Sequence, residues 1–514
     1  MSGQRGRLLS GGALSFATVL TEKAASLGVV LLLARLLPAD VYGEYAFIIA
    51  FLGIFQILAE AGIETVLVRR LVLTPERREF WVRAALGLRL SAALVSSLLA
   101  MAIVGVASGG TVASSSVAAA AGLLLAAQPV ARATLRIEGG FGAVFFAAMV
   151  AALVGMAAQL LAAAASLPLV FVLGGASLGP LVGLALGLAL VARRQRVAPR
   201  FDVPAFGALL RDSWPVAANL LVIVLSLRAA PLLLMRFEGP VTVGLFTSAA
   251  RLVEATNLIA EAAMLLLYPA LARSLAARHD VDSEGRDGGS AQRDGGSAER
   301  DGGSAQRDGG SAQRDGGSEL AQLAARALSV ALLALALLVA PAGGPLMRLL
   351  FGEAFAVAGQ TLSLLIWTAP LSALGTLYVG LLVAVGKQRV LFGLNLFSAA
   401  LQLGLQWFLV RHYGGHGAAV GIVVAALLNH AVLAALPVTR PWILPCLGAA
   451  LRPGLLAAAA FAAWRLSGVG PGILPGLLVS AAFCLGCVAS GTLAPRHLQR
   501  AQELLRFPPE SPVC

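Results

Sequence analysis

Long uninterrupted runs of apolar residues dominate this chain and restrict its possible folds more than any other feature. Leu328 to Ala340 and Ala418 to Leu436 hold few polar side chains and show no alternation between apolar and polar positions. Crossing the hydrocarbon core takes about 20 consecutive apolar residues. In that medium every backbone N–H and C=O needs a partner within a helix or a closed barrel. Barrel strands alternate and these runs do not, so they are helices. Composition agrees: 58% of the 514 residues are hydrophobic and 12% charged, against about 25% charged in a soluble domain. The expected class is all-α, a polytopic membrane protein of about fourteen transmembrane helices.

The runs place spans near 10–36, 42–67, 84–107, 112–131, 143–165 and 168–192. Further spans fall near 213–235, 241–270, 321–347, 356–385, 389–410, 416–437, 443–465 and 472–492. The first follows Arg5 and Arg7 as a signal peptide would. It is too long for a signal h-region and carries Glu22 and Lys23 centrally, so it is expected to be retained.

Arginine placement gives the orientation. Alternate connections carry Arg69, Arg70, Arg77 and Arg78, then Arg132 and Arg136, then Arg193, Arg194, Arg196 and Arg200. Later ones on the same side carry Arg273 and Arg278, Lys387 and Arg389, Arg440, and the tail residues Arg496, Arg500 and Arg506. The opposite side has Arg35, Arg236, Arg348, Arg411 and Arg465, mostly single residues at helix edges. Cytoplasmic loops are the basic ones, so both termini are expected in the cytoplasm. The net charge of +12 follows from this excess meeting anionic lipid headgroups. No basic patch is interleaved with aromatic residues, and no nucleic-acid partner is expected.

From Arg286 the heptad Arg-Asp-Gly-Gly-Ser-Ala-Gln recurs five times, with small departures. It lacks the apolar a/d pair of a coiled coil and has adjacent glycines, so it buries too little surface to order itself. It reads as a flexible cytoplasmic linker over 279–320.

A second repeat is informative. Positions 31–61 and 232–262, offset by 201, share eight identities in thirty-one: Leu31, Leu32, Leu33, Arg35, Gly43, Ala59, Glu60 and Ala61 meet the same residue types. Chance at this composition gives roughly two or three, and such internal symmetry marks transporters. The copies begin six spans apart and share one orientation, so the repeat is parallel, about an axis along the membrane normal. The expected organisation is a six-helix half over 1–200 and a second over 201–440 interrupted by the linker. Two extra helices over 441–492 and a cytoplasmic tail over 493–514 complete it.

The run Leu31-Leu32-Leu33-Ala34-Arg35-Leu36-Leu37-Pro38, with Tyr42-Gly43-Glu44-Tyr45, Ala61-Gly62-Ile63-Glu64 and Val68-Arg69, resembles the polysaccharide-biosynthesis flippases. These are the O-antigen and exopolysaccharide repeat-unit exporters of the multidrug/oligosaccharidyl-lipid/polysaccharide exporter superfamily. Gly244-Leu245-Phe246 and Tyr268-Pro269-Ala270-Leu271-Ala272 are similar to the second half of that family, and the resemblance extends over nearly the whole chain outside the linker. It implies a bacterial inner-membrane flippase moving an undecaprenyl-diphosphate-linked oligosaccharide from the cytoplasmic to the periplasmic leaflet. Polysaccharide polymerase and chain-length proteins are the implied partners. A lipid II flippase, an ion-coupled drug exporter of the same superfamily and, less favoured, a membrane glycan polymerase or ligase remain alternatives.

The residues can also be read for that task on their own. A lipid-linked diphosphate needs cations away from lipid, and ionisable residues inside spans are costly enough to mark function. The substrate-path set is Lys23, Arg89, Arg228 and Arg251; arginine grips phosphate bidentately and lysine acts as a point charge. Arg251, Glu254, Asn257 and Glu261 fall within about a third of a helical circumference, and Gln56, Glu60 and Glu64 form an i, i+4 stripe. Glu22, Glu60, Glu254, Asn257 and Glu261 are polar cavity or ion-coupling positions; Glu60 and Glu261, equivalent in the repeat, suit a packing role equally. Mutual neutralisation within the protein is the plainer alternative for each charge.

Cys484 and Cys487 have redox spacing inside an apolar span, where packing explains them better. His430 and Asn429 form a polar patch, and Pro231 and Pro370 are expected to kink their spans. No metal cluster, phosphate loop or catalytic set appears, so no cofactor and no enzymatic activity are expected. Topology follows directly: an alkaline-phosphatase reporter fused after Leu37 is expected to be active and one fused after Arg506 inactive. The reverse pattern inverts the assignment.

Overall fold

The computed structural model describes residues 2–60, 62–107, 128–193, 198–287, 303–492 and 499. Among them the chain is helical and contains no strand. The helices are α1 (Ser2–Leu36), α2 (Ala39–Glu60), α3 (Ile63–Leu73), α4 (Arg78–Ala107) and α5 (Gln128–Ile137). Next come α6 (Phe141–Ala164), α7 (Leu169–Ala192), α8 (Val203–Phe237), α9 (Pro240–Asp287) and α10 (Gly303–Phe351). The last are α11 (Gly359–Leu365), α12 (Thr368–Ala384), α13 (Gln388–Ala435), α14 (Arg440–Leu466) and α15 (Ile473–Ala489).

Among the described residues, nine helical stretches are long and apolar enough to cross a bilayer. The number rises to ten if Glu353–Leu365 and Thr368–Ala384, bent by 46°, form one span. The chain is thus an all-α polytopic membrane protein. Most of the span expected at 112–131, and residues 288–302 of the expected linker, lie outside the described residues. Helix α9 covers 241–270 but is no purely apolar span, because Arg251, Glu254 and Glu261 interrupt it. The apolar helix near 472–492 is α15, of 17 residues.

Two further features have local causes. The run 42–67 is not one helix: Gly62 adopts φ 64°, and α2 stops before it. A Cβ there would lie 3.0 Å from the Val216 Cβ and 3.1 Å from the Ala217 nitrogen, so both backbone angle and space require glycine. Pro370 sits at the expected kink: its span bends by 46° between α11 and α12, a few residues before the proline, whose ring clashes with the carbonyl four positions back and cannot follow a straight helix.

The chain packs as two compact units. Unit 1 comprises Met1–Arg251, Met347–Ala358 and Asn395–Gly421; unit 2 comprises Leu252–Leu346, Gly359–Leu394 and Ile422–Cys514. In unit 1, α6 and α7 approach closely through small residues: a Cβ on Gly155 would sit 3.1 Å from the Gly179 Cα, and one on Gly175 3.0 Å from the Ala158 carbonyl carbon. Lipid offers no hydrophobic drive between helices, so close backbone approach supplies the attraction. Ile63, Leu67, Leu71, Val82, Leu86, Val130 and Leu209 join α3, α4, α5 and α8. Arg70 adds an ion pair to Asp212 at 2.6 Å and lies 4.1 Å above the Trp81 ring. Helices α8 and α13 are joined by Asn395 Nδ2 donating to Asn219 Oδ1 at 3.0 Å and Gln402 Nε2 to the Ser226 carbonyl at 3.3 Å. Both pairs are 176 residues apart, so these helices run in the same direction.

The closest approach in unit 1 is also the most symmetric. A Cβ on Gly43 of α2 would run into the Pro240 carbonyl oxygen of α9. Reciprocally, a Cβ on Gly244 would lie 2.9 Å from the Ala39 oxygen and 3.3 Å from the Gly43 Cα. Ala39 with Pro240 and Gly43 with Gly244 are equivalent positions of the 201-residue repeat. Contacts of i with j and j with i are the mark of a two-fold relation.

In unit 2, Met264, Leu320, Ala324, Leu377, Tyr378, Leu381, Ile443 and Cys446 form one core across α9, α10, α12 and α14. Val330, Leu337, Ala457, Phe483 and Cys487 form another with α15. Ser480 donates to the Ala334 carbonyl at 2.9 Å. His430 packs its ring 5.6 Å from that of Tyr378, and Cys487 is buried in the core while Cys484 is exposed.

Gly43→Ala and Gly244→Ala are each expected to lower the melting temperature of the purified protein. Overpacking costs about 1–3 kcal/mol, and the larger loss belongs to Gly43, whose Cβ would overlap the Pro240 carbonyl, while that of Gly244 lies 2.9 Å from its nearest neighbour. Gly12→Ala, where a Cβ meets nothing within 4 Å, is the control.

Candidate functional site

Helix α2 is apolar apart from Asp40, Tyr42, Glu44, Tyr45, Gln56 and Glu60, and three interior cations of unit 1 gather along it. Near its start, Tyr42 is 1% exposed and meets the Phe355 ring edge-on at 5.4 Å. The Tyr45 hydroxyl donates to Gln159 Oε1 on α6 at 2.9 Å. Arg251, about three turns into α9, is close enough to act electrostatically on both phenols. Midway, the Arg228 guanidinium of α8 lies against Gly53, its Nε 3.5 Å from where a Cβ would be. At the far end Gln56 Nε2 donates to Glu60 Oε1 at 3.4 Å, and Arg89 of α4 faces Glu60 and Glu64. At ~1.5 Å per residue, Tyr42 and Glu60 are roughly 27 Å apart, close to the ~30 Å of a hydrocarbon core.

The burial of these cations differs. Arg89 is 1% exposed, enclosed between α4 and its acidic neighbours. Arg228 and Arg251 are half-buried, and Lys23 on α1 is exposed. Glu254, Asn257 and Glu261 follow on α9 in unit 2, with Glu254 and Glu261 exposed and Asn257 half-buried. The break at Gly62 moves Glu64 off the continuous stripe expected with Gln56 and Glu60, and places it on α3.

Sequence reasoning assigned Arg132 and Arg136 to a cytoplasmic connection. They lie on α5, and the fold turns them onto acids: Arg132 Nη2 is 2.6 Å from Glu22 Oε1 of α1, and Arg136 Nη1 is 3.7 Å from Glu64 Oε1 of α3. Their i, i+4 spacing on a short amphipathic segment was the available signal, and the positive-inside pattern had already accounted for it.

A separate depression of about 410 Å³ in unit 1 is lined by Arg35, Pro38, Arg348, Phe351, Glu353 and Phe355. Arg35 Nε donates to the Leu350 carbonyl at 2.9 Å and a second guanidinium nitrogen to that of Leu349, capping the end of α10. Arg348 pairs with Glu353 at 2.8 Å, so both arginines are engaged structurally. Among the described residues no cluster of three His, Cys, Asp or Glu is placed to hold a metal ion.

A bundle of long apolar helices with cations gathered along one helix has the architecture of a polytopic membrane protein. Solved structures share this fold. The lipid II flippase MurJ in an inward closed conformation is similar over 94% of this chain and 99% of its own, with a TM-score of 0.61 and 11% identity. An inward-facing multidrug resistance MATE family transporter of the MOP superfamily is similar over 80% of this chain and 92% of its own (TM-score 0.54, 15% identity). A MATE in the straight conformation follows at 83% and 93% (TM-score 0.51, 15% identity). No curated protein sequence matches the chain. The family model described as polysaccharide biosynthesis protein matches residues 8–275, and the chain belongs to that family.

Arg89 and Arg228 are expected to respond differently to truncation. Arg89→Ala removes a buried cation from beside the half-buried Glu60 and Glu64 and is expected to lower folded yield and melting temperature. Arg228→Ala, at a half-buried position, is expected to leave melting within a few degrees of wild type. Equal stability losses would place both residues in the same structural role.

Proposed function

We propose that this protein is a flippase carrying polyprenyl-diphosphate-linked oligosaccharide repeat units across the bacterial inner membrane for surface-polysaccharide synthesis. The observation that carries the reading is the series of cations along α2: Arg251 beside Tyr42 and Tyr45, Arg228 at Gly53, and Arg89 at Glu60. A diphosphate moving through a low-dielectric path needs positive charge at successive depths, and arginine supplies the paired donors that phosphate oxygens accept. Arg228 and Arg251, half-buried, suit direct contact with the headgroup, and Lys23 is a further point charge. Arg89, enclosed, suits setting the local potential. The fold is common to flippases and drug exporters; family membership and an arginine-bearing interior favour an anionic lipid cargo.

The mechanism in this reading is alternating access. Two repeat-related halves rock about an axis near the reciprocal Gly43/Gly244 contact, and the polyprenyl tail stays in lipid while the headgroup passes inside. Glu60, Glu254 and Glu261 are the positions for ion coupling, with Glu22 and Asn257 as further polar positions. The protein is a transporter in this view, not an enzyme, with lipid-linked oligosaccharide and membrane lipids as partners and a polysaccharide polymerase and chain-length complex beside it. Both termini face the cytoplasm.

The test is complementation of a strain lacking its surface-polysaccharide flippase, at matched membrane abundance and with the cognate glycan supplied. Wild type is expected to restore surface glycan, and Arg228→Ala and Arg251→Ala to reduce it at least about tenfold, as loss of a charge-assisted phosphate contact predicts. Failure of correctly inserted wild type would remove this function and turn attention to drug export.

A further inference from the structure

Helix α5 carries two guanidinium groups one turn apart on one face, and their surroundings are unusual for cytoplasmic loop charges. Arg132 and Arg136 are 23% and 36% exposed at their side chains, and Glu22 and Glu64 are 35% and 39% exposed. The deeper pair, Arg132 with Glu22, is a 2.6 Å contact. The outer pair, Arg136 with Glu64, is 3.7 Å apart, beyond hydrogen-bond length. Arg136 Nε is buried with no hydrogen-bond partner. A buried donor left unmade costs about 1–3 kcal/mol, and a bound ion is one of the partners that such groups take.

A diphosphate meets these requirements and a carboxylate does not. Side chains at i and i+4 sit ~5–6 Å apart at their Cβ atoms, so two guanidinium forks present adjacent sets of in-plane donors. A single carboxylate spans one fork; two linked phosphates reach both. We propose that Arg132 and Arg136 form the cytoplasmic loading site for the diphosphate of the lipid-linked cargo, with Glu22 and Glu64 holding the arginines until the cargo displaces them. Arg136 Nε gains its acceptor on loading. The displaced Glu22 and Glu64 side chains, 35% and 39% exposed, turn to solvent, which leaves the two guanidinium charges to match the dianionic group. The loading site rests on the flippase reading, and it adds a binding position separate from the cations along α2.

The test measures binding rather than transport, so it is independent of complementation. The purified full chain is placed in phosphatidylcholine nanodiscs and titrated with geranylgeranyl diphosphate. Inorganic diphosphate is the competitor, and a parallel series contains phosphatidylglycerol. Wild type is expected to bind the polyprenyl diphosphate, with inorganic diphosphate competing. Arg132→Lys with Arg136→Lys, which keeps both charges but loses the forks, is expected to weaken binding about tenfold. Glu22→Gln with Glu64→Gln is expected to tighten it several-fold by removing the competing carboxylates, a gain that misfolding cannot produce.

Unchanged affinity in the lysine variant, or weaker binding in the glutamine variant, overturns the loading site and leaves the two pairs as helix struts. Displacement by phosphatidylglycerol but not by inorganic diphosphate overturns it in favour of an ordinary lipid headgroup contact. If wild type fails complementation while both binding shifts occur, the flippase reading falls and a diphosphate site remains. If wild type complements and neither shift occurs, the loading site falls alone.

Discussion

An arginine held at membrane depth must be solvated by the protein, since hydrocarbon offers neither water nor counterions. That requirement organises unit 1. Arg132 pairs with Glu22, Arg136 approaches Glu64, and Arg89 faces Glu60 and Glu64. Each relation crosses from one helix to another: α5 to α1, α5 to α3, and α4 to α2 and α3. The charges therefore connect the helices that enclose them, most completely at the buried Arg89. Hydrogen-bonded amides do the same in neutral form, as Asn219 with Asn395 and Tyr45 with Gln159 show.

Those pairings also depend on how near the backbones come. Helices in lipid gain nothing from burying leucine against leucine, because the tails are equally apolar. Close packing of small residues takes that place, at Gly155 against Gly179 and at Gly43 against Gly244. The second contact brings α9 to α2 near the level of Tyr42 and Tyr45, where Arg251 acts on both hydroxyl groups. A small-residue contact between repeat-equivalent positions thus sets where Arg251 stands. Structure and proposed function share one element here, since an axis that relates two halves is also the axis about which they would move.

The helical class and most span positions were legible because backbone satisfaction in hydrocarbon leaves few solutions for a 20-residue apolar run. Arg89, Arg228 and Arg251 stood out for the same reason: a charge inside such a run is expensive and visible. The break at Gly62 was not legible, because the apolar pattern continues across it. It arises from a left-handed backbone angle and from the proximity of Val216 and Ala217, some 150 residues away in the chain. The bend before Pro370 was legible, because a proline ring clashes with the carbonyl four residues back and so breaks a straight helix locally.

Arg132 and Arg136 mark the boundary between the two kinds of information. Their charge and spacing are properties of the sequence, and these suffice for a topology argument. Their direction is not, because it depends on Glu22, 110 residues earlier, and on Glu64, 72 residues earlier. The sequence by itself determined a polytopic helical bundle with interior cations, because hydrophobic thickness and backbone hydrogen bonding act locally along the chain. Only the tertiary structure decided which acid meets which arginine and which cations line α2, because in a low dielectric a charge is stabilised by whatever lies within a few ångströms, whatever its distance in sequence.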